Sequence, residues 1–222
     1  MGNKVSPNTF RLGIYRRHDS DWFAQKNFAN FLQEDFLIRN FLKDRFEESA
    51  GIVKILISRN KSVIEVIIKC LQPSIIIGKK GGEINLVSDD LEKKLGCEVK
   101  IKIFDVKKHD TNSKAVALKI SEELKRKGAN SRRIIKRYIQ MAMKSGVIGI
   151  RIECKGRLGG IEIARTDWLQ EGAIPRQKLR ANIDYASVCS KAKWGTSGVK
   201  VWIYNGDIVK RENKLGEKNV KS

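Results

Sequence analysis

The sequence predicts a mixed α/β (α+β) chain of two domains in tandem, and three observations carry the prediction. Between residues 32 and 106 a helical pattern is followed by two alternating strands, a glycine-rich break, a second helix and a third strand. From Val147 onward apolar residues recur at every second position, the period of a half-buried strand. Between these blocks lies a basic segment of helical period. With 222 residues and 41% apolar content the chain can bury two cores, which excludes disorder throughout.

Residues 1–31 are irregular. Weak alternation at Phe10, Leu12 and Ile14 and the aromatic pair Trp22-Phe23 predict a docked arm. From Leu32 to Phe46 the residues Phe36, Leu37, Phe41, Leu42 and Phe46 recur at spacings of three and four, which predicts a helix. Val53–Ser58 and Val63–Cys70 read as strands, with Arg59-Asn60-Lys61-Ser62 as the hairpin connection. Pro73 opens a helical turn that ends at Gly78, and Ile84, Val87, Leu91 and Leu95 mark a further helix closed by Gly96. Val99–Ile103 alternates as the third strand. One helical layer on a three-stranded sheet is the expected result for residues 32–106.

Residues 107–146 hold twelve Lys and Arg against three Asp and Glu. Two helices are expected there, over 111–127 and 131–145, separated by Gly128-Ala129-Asn130-Ser131 with Asn130 or Ser131 as N-cap. Ile148, Ile150 and Ile152, then Ile161–Arg165, then Val199–Tyr204, predict a mixed or antiparallel sheet of three or four strands. This second domain covers 107–208. Residues 209–222 form a polar tail expected to be disordered.

Charge narrows the partner. Lys and Arg number 45 against 25 Asp and Glu, a net +20, and a compact chain so charged calls for a polyanion: DNA, RNA or an anionic membrane. No apolar run reaches the 18 residues of a membrane span, and the start lacks the apolar core of a signal peptide and the serines of a transit peptide. Cys70, Cys97, Cys154 and Cys189 are widely spread, and His18 and His109 are the two histidines, so the close ligand pairs of a zinc site are missing. No metal or other cofactor is expected, the cysteines suit a reducing compartment, and Cys70 and Cys154 read as core residues. No catalytic set stands out. His18 and Ser131 have no evident partners, and nothing in the spacing of Glu153, Glu162 and Asp167 brings them together. A nucleic-acid-processing enzyme would need a site that this sequence does not offer, so no enzyme and no small-molecule substrate are expected.

The most telling stretch is Ile75-Ile76-Ile77-Gly78-Lys79-Lys80-Gly81-Gly82. Bare backbone at the glycines lets phosphates approach, the amides opening the next helix donate to anions, and Lys79 and Lys80 add charge. An apolar groove beside the loop suits bases, which is how a KH loop grips single-stranded RNA. The competing reading is a tight helix–helix turn with glycines for packing alone. A nucleotide-phosphate loop is disfavoured because Glu83 follows Gly82 where a Lys-Ser/Thr pair is needed.

Arg132, Arg133, Lys136, Arg137, Gln140 and Lys144 fall on one side of the second basic helix, and Ile134, Ile135, Tyr138, Met141 and Ala142 take most of the other. Guanidinium forks bind phosphates bidentately and add affinity without sequence specificity. A solvated charged face and a membrane-surface helix are the alternatives, the latter competing for the face that the core needs. Lys155-Gly156-Arg157-Leu158-Gly159-Gly160 is either a loop of close backbone approach or a tight turn. Trp168 and Trp202 either stack on bases or fill a core, and the alternating strand around Trp202 favours the core.

Several strings together resemble the bacterial-type ribosomal protein three family of the small subunit. They are Phe10–Ile14 with Trp22–Ala24, Ile77–Gly82, Arg132-Arg133 with Lys136-Arg137, Gly156–Gly160, Glu162–Arg165, Gly172–Pro175, Ile183–Tyr185 and Gly198–Ile203. The resemblance covers about residues 1–208, and its C-terminal strings are more specific than the glycine loop. It implies a type II KH domain followed by a two-helix α/β domain, assembled in the head of the small subunit with ribosomal RNA and neighbouring ribosomal proteins. It implies that Arg132, Arg133 and Lys136, with Arg137 beside them, face mRNA where it enters the subunit and assist its unwinding. Lys4, Arg11, Lys155, Arg157 and Arg165 are further candidates for contact with rRNA or protein. Ser6 departs from the histidine or asparagine usual before the proline. A free regulatory KH protein is the alternative. Abundant Lys, Ile and Asn suit an AT-rich genome, so plastid stroma is the expected setting and bacterial cytoplasm the alternative.

Overall fold

The computed structural model describes residues 4–60, 63–126 and 128–208, with the backbone alone at 47–49 and 80. The expected tail, 209–222, lies outside the described residues, as does the 61–62 link of the expected hairpin.

In chain order the elements are α1 (Pro7–Phe10), β1 (Ser20–Asp21), α2 (Phe28–Ala50), β2 (Ile52–Asn60), β3 (Val63–Cys70), α3 (Pro73–Ile77), α4 (Gly82–Leu95), β4 (Glu98–Asp105), α5 (Ser113–Leu124), α6 (Ser131–Lys144), β5 (Gly149–Gly156), β6 (Arg165–Gly172), β7 (Ala181–Ala192) and β8 (Gly195–Asp207). Among the described residues they form two four-stranded sheets, ordered β1-β2-β3-β4 and β6-β5-β8-β7.

In the first domain β2 and β3 pair antiparallel, with Ile57 opposite Val66, and β3 and β4 pair parallel, with Val66 opposite Ile101. Helix α2 begins at Phe28 and packs through Ile38, Leu42, Phe46 and Ala50, a four-residue repeat that keeps one face inward. Phe36 and Leu37, counted in the expected apolar face, are exposed instead. Val87 and Leu91 of α4 close the same core, and Cys70 is buried in it. Arg59 and Asn60 belong to β2 rather than to the connection.

The expected sheet of three strands gains a fourth from the arm. Two-residue β1 lies parallel to β2, with Ser20 opposite Ile57. Two residues are too short to show a period, and long-range bonds hold them. Arg39 donates to the Asp19 carbonyl at 3.1 Å and to Ser20 Oγ at 2.9 Å, and Ile57 N donates to Asp19 O at 3.0 Å.

In the second domain all four strands are antiparallel. Helices α5 and α6 cover one face, where Ile120, Ile135 and Ile139 meet Ile150, Ile152 and Val201, with Cys154 buried among them. Asn130 caps α6 by accepting from Arg133 N at 3.2 Å. Residues Ile161–Ala164 are not strand, and β6 begins at Arg165. Ile161 and Ile163 are exposed, so their alternation marks no buried face. Trp202 is buried on the sheet face away from the helices, with Ala181 and Ile183. The arm reaches this domain too, since Asn8 Nδ2 donates to Tyr185 O at 2.9 Å.

Candidate nucleic-acid interface

The glycine loop joins α3 to α4. Gly78 ends α3 at φ 70° and ψ −173°. A Cβ there would lie 2.6 Å from Glu83 Cγ and 2.8 Å from Glu83 Cβ, so only glycine fits. Lys79–Gly81 makes a single 3-10 turn, and Gly81, at φ 77°, is the N-cap of α4. Gly82 has ordinary helical angles, φ −63° and ψ −41°, and open space around it. Among the described residues no side chain caps α4, so its first amides are available as anion donors.

Lys79 is exposed at the tip, and the side chain of Lys80 lies outside the described residues. The acid packed beside Gly78, Glu83, is countered by Arg45 of α2, which lies 3.2 Å from it and 3.1 Å from Asp90. That pairing reduces repulsion of a phosphate at the loop. Ile75 and Ile77 of α3 and Leu86 of α4 are exposed apolar side chains beside it, a surface suited to bases.

The basic face of α6 is exposed as its period predicts. Arg132, Arg133, Lys136, Arg137, Gln140 and Lys144 all face solvent, while Ile135, Tyr138, Ile139 and Ala142 face the core. Met141, expected inside, is exposed. A groove of about 350 Å³ runs along Arg133, Ile134, Lys136, Arg137 and Gln140.

The four cations of the set are not equivalent. Arg137 is paired with Glu123 of α5, its Nη2 donating to both carboxylate oxygens. Tyr138 also donates to Glu123, at 2.8 Å, and burial followed by that carboxylate pushes its phenol up to about 12. Arg132, 81% exposed in its side chain, lies 3.4 Å from Asp167 of β6, which also accepts from Ser131 Oγ. Among the described residues no acid pairs with Arg133 or Lys136. Of the four, these two carry the least compensated charge.

The other candidates divide. Lys4, Lys155 and Arg165 are exposed. Arg157 is half-buried, and its Nε donates to Ile161 O at 3.1 Å. Arg11 is a correction. It is 3% exposed and donates to the carbonyls of Ala181, Pro7, Arg176 and Lys178 at 2.7–3.1 Å. Every one of its nitrogens is spent within the chain, so Arg11 ties the arm to the second domain and offers nothing to RNA. Three of these carbonyls lie 165 to 170 residues away, which no local pattern reveals.

The loop at Gly156–Gly160 is a packing turn. A Cβ on Gly156 would lie 2.5 Å from Thr196 O, and one on Gly160 would touch the Trp194 ring at 3.4 Å. Sequence reasoning also missed Asp184, which accepts from Ser113 N and Oγ at 2.9 and 2.8 Å and steadies the start of α5 from 71 residues away.

A KH fold with an open glycine loop, joined to a domain with an exposed basic helix, defines an RNA-binding protein. The KH domain family matches residues 37–111, and the family described as ribosomal protein S3, C-terminal domain, matches residues 120–203. Small ribosomal subunit protein uS3 of Rhodospirillum centenum is 41% identical over 218 residues, covering 98% of this chain and 96% of that protein. That of Parvibaculum lavamentivorans is 43% identical over 219 residues, covering 98% and 92%. That of Pelagibacter ubique is 42% identical over 227 residues, covering all of both. The chain belongs to the bacterial-type uS3 family of small ribosomal subunit proteins.

Proposed function

We propose that this chain is a structural constituent of the small ribosomal subunit head. It binds rRNA, lines the channel by which mRNA enters and assists mRNA unwinding. No covalent step is involved. The observation that carries the mRNA role is the α6 face, where Arg133 and Lys136 stand exposed without an acid partner among the described residues. A cationic face of this kind holds phosphates of any sequence, as a channel for every message requires. Resistance to rezipping comes from grip on separated strands while the ribosome moves. The glycine loop, with Gly78, Lys79, Lys80, Gly81 and Gly82, supplies a second RNA contact fixed within the ribonucleoprotein.

Neighbouring head proteins are the other partners. Phe28, Leu32 and Phe36 form an exposed apolar stripe on α2 at four-residue spacing, a surface suited to protein rather than to phosphate. No described helix is long and apolar enough to cross a membrane. The plastid stroma is the proposed setting of that ribosome, with the bacterial cytoplasm as the alternative.

Replacing Arg132, Arg133 and Lys136 by Ala in the assembled subunit tests the channel role. Translation through a stable mRNA hairpin is expected to slow more than translation of open mRNA. Equal slowing on both templates removes the unwinding role. Sedimentation separates a subunit constituent from a free regulatory KH protein, since the former pellets with small subunits in moderate salt.

A further inference from the structure

The sheet face of the second domain that points away from α5 and α6 carries an exposed tryptophan that the reading above does not use. Trp168 of β6 lies opposite Glu153 of β5 and is 53% exposed. Arg151, one step along β5 on the same face, sets its guanidinium carbon 4.3 Å from the Trp168 ring centroid. Arg151 is itself held from behind. Its side chain is 16% exposed, lies 3.5 Å from Glu153, donates to Gln170 Oε1 at 3.4 Å and sits 5.9 Å from the Trp202 ring. One face of the indole is thus occupied by a fixed cation, while about half of the residue is left to solvent.

The surroundings indicate the occupant. On the same sheet face Thr166 and Gln170 flank Trp168 along β6, with Lys155 opposite Thr166 and Lys200 opposite Glu153. Thr166, Gln170, Lys155 and Lys200 are all exposed. A lone aromatic ring inside a polar, cationic border is poorly suited to an apolar protein surface, which needs a contiguous patch. It suits an unpaired base, whose π face stacks on the ring while its phosphates meet lysines.

We infer that Trp168 is a stacking platform for an unpaired base of single-stranded RNA, with Lys155 and Lys200 meeting the flanking phosphates. Arg151 orders the ring beneath the base and adds a cation–π contact from below. The inference rests on the RNA-binding reading but places its contact on neither the glycine loop nor α6.

The test uses the full chain with a twelve-nucleotide oligoadenylate and a duplex RNA of equal length. Indole emission is followed in the native chain, in Trp168→Phe and in Trp168→Ala, with thermal unfolding as the check on folding. The single strand is expected to quench native emission, and the duplex to quench it far less. Trp168→Phe should lose that quenching and keep most of the affinity, because a ring remains. Trp168→Ala should weaken single-strand binding about 5- to 100-fold. Quenching that persists in Trp168→Phe, equal quenching by the duplex, or undiminished affinity in Trp168→Ala overturns the platform. So does protection of Trp168 from acrylamide by subunit-head proteins but not by RNA. If Lys79→Asp with Lys80→Asp still lowers binding while Trp168→Ala does not, the platform falls and the RNA reading stands. Absence of any RNA binding by the native chain removes both.

Discussion

The Arg59 guanidinium lies 2.7 Å from the Asp35 carboxylate, with 8% and 5% of the two side chains left in water. Trp22 of the arm donates to the other Asp35 oxygen at 2.8 Å, and Glu34 holds a second Arg59 nitrogen. Phe31 lies under the guanidinium at 4.7 Å. Burial draws the guanidinium's affinity for its proton down, but hydrogen bonds and charge from Asp35 and Glu34 more than offset it. The cluster joins the arm, α2 and β2 at one point.

Removing one member of such a buried pair strands the other. Asp35→Ala is expected to cost about 3–5 kcal/mol in urea unfolding and to loosen the arm. Glu98→Ala breaks the Lys100–Glu98 pair, 3.0 Å long but more than half exposed on both sides, and should cost under about 1 kcal/mol.

The glycine loop makes a contrast within one motif. Gly78→Ala must adopt a positive φ and meet Glu83, so a loss of about 1–3 kcal/mol is expected together with weaker RNA binding. Gly82→Ala enters a helical position with open space and should be neutral or stabilising by up to about 1 kcal/mol. Equal destabilisation in thermal unfolding would show that the loop geometry described above is wrong.

On α6 the charge of Arg137 is held by Glu123. Glu123→Gln frees it while keeping an acceptor for Tyr138. The slope of log affinity against log salt for single-stranded RNA should then steepen by about 0.7, one further phosphate contact. An unchanged slope would mean that Arg137 cannot reach the strand even when released.

The buried thiols set an alkaline limit. Burial first, then Asp167 and Glu153, pushes the Cys154 thiol from 9.0 up to about 12, and burial with Asp105 pushes Cys70 up to about 11. A pKa raised on folding favours the neutral form, so the contribution is whole below the unfolded value and is lost as pH rises through the folded one. Stability should therefore decline from about pH 9 upward. In alkylation at pH 8 followed by mass spectrometry, exposed Cys189 should react while Cys70 and Cys154 remain protected until the chain unfolds.

Much of the architecture was legible because it is periodic. The strands at Val63–Cys70 and Glu98–Asp105 show in a two-residue repeat, and α6 shows in a sharp division of basic and apolar sides. Where the period misled, the reason is local. Ile161 and Ile163 alternate without a sheet to bury them, and Phe36 sits on α2 at helical spacing but on the outer side. Strand β7 escaped notice because small and polar residues such as Asn182, Asp184 and Ser187 blur its alternation.

By itself the sequence determined the order of helices and strands over residues 32–106, the excess of positive charge, the glycine turn between α3 and α4 and the basic face of α6. Each depends on residues within a few positions of one another, where helix and strand periods operate. Only the tertiary structure decided which cations are free to meet RNA. Arg11 is taken up by one local and three distant carbonyls, Arg137 was claimed by Glu123, and Arg133 and Lys136 were left open. Trp168 received its cation from the next strand. Pairing of charges depends on chain segments brought together by folding, and sequence spacing carries no record of that distance.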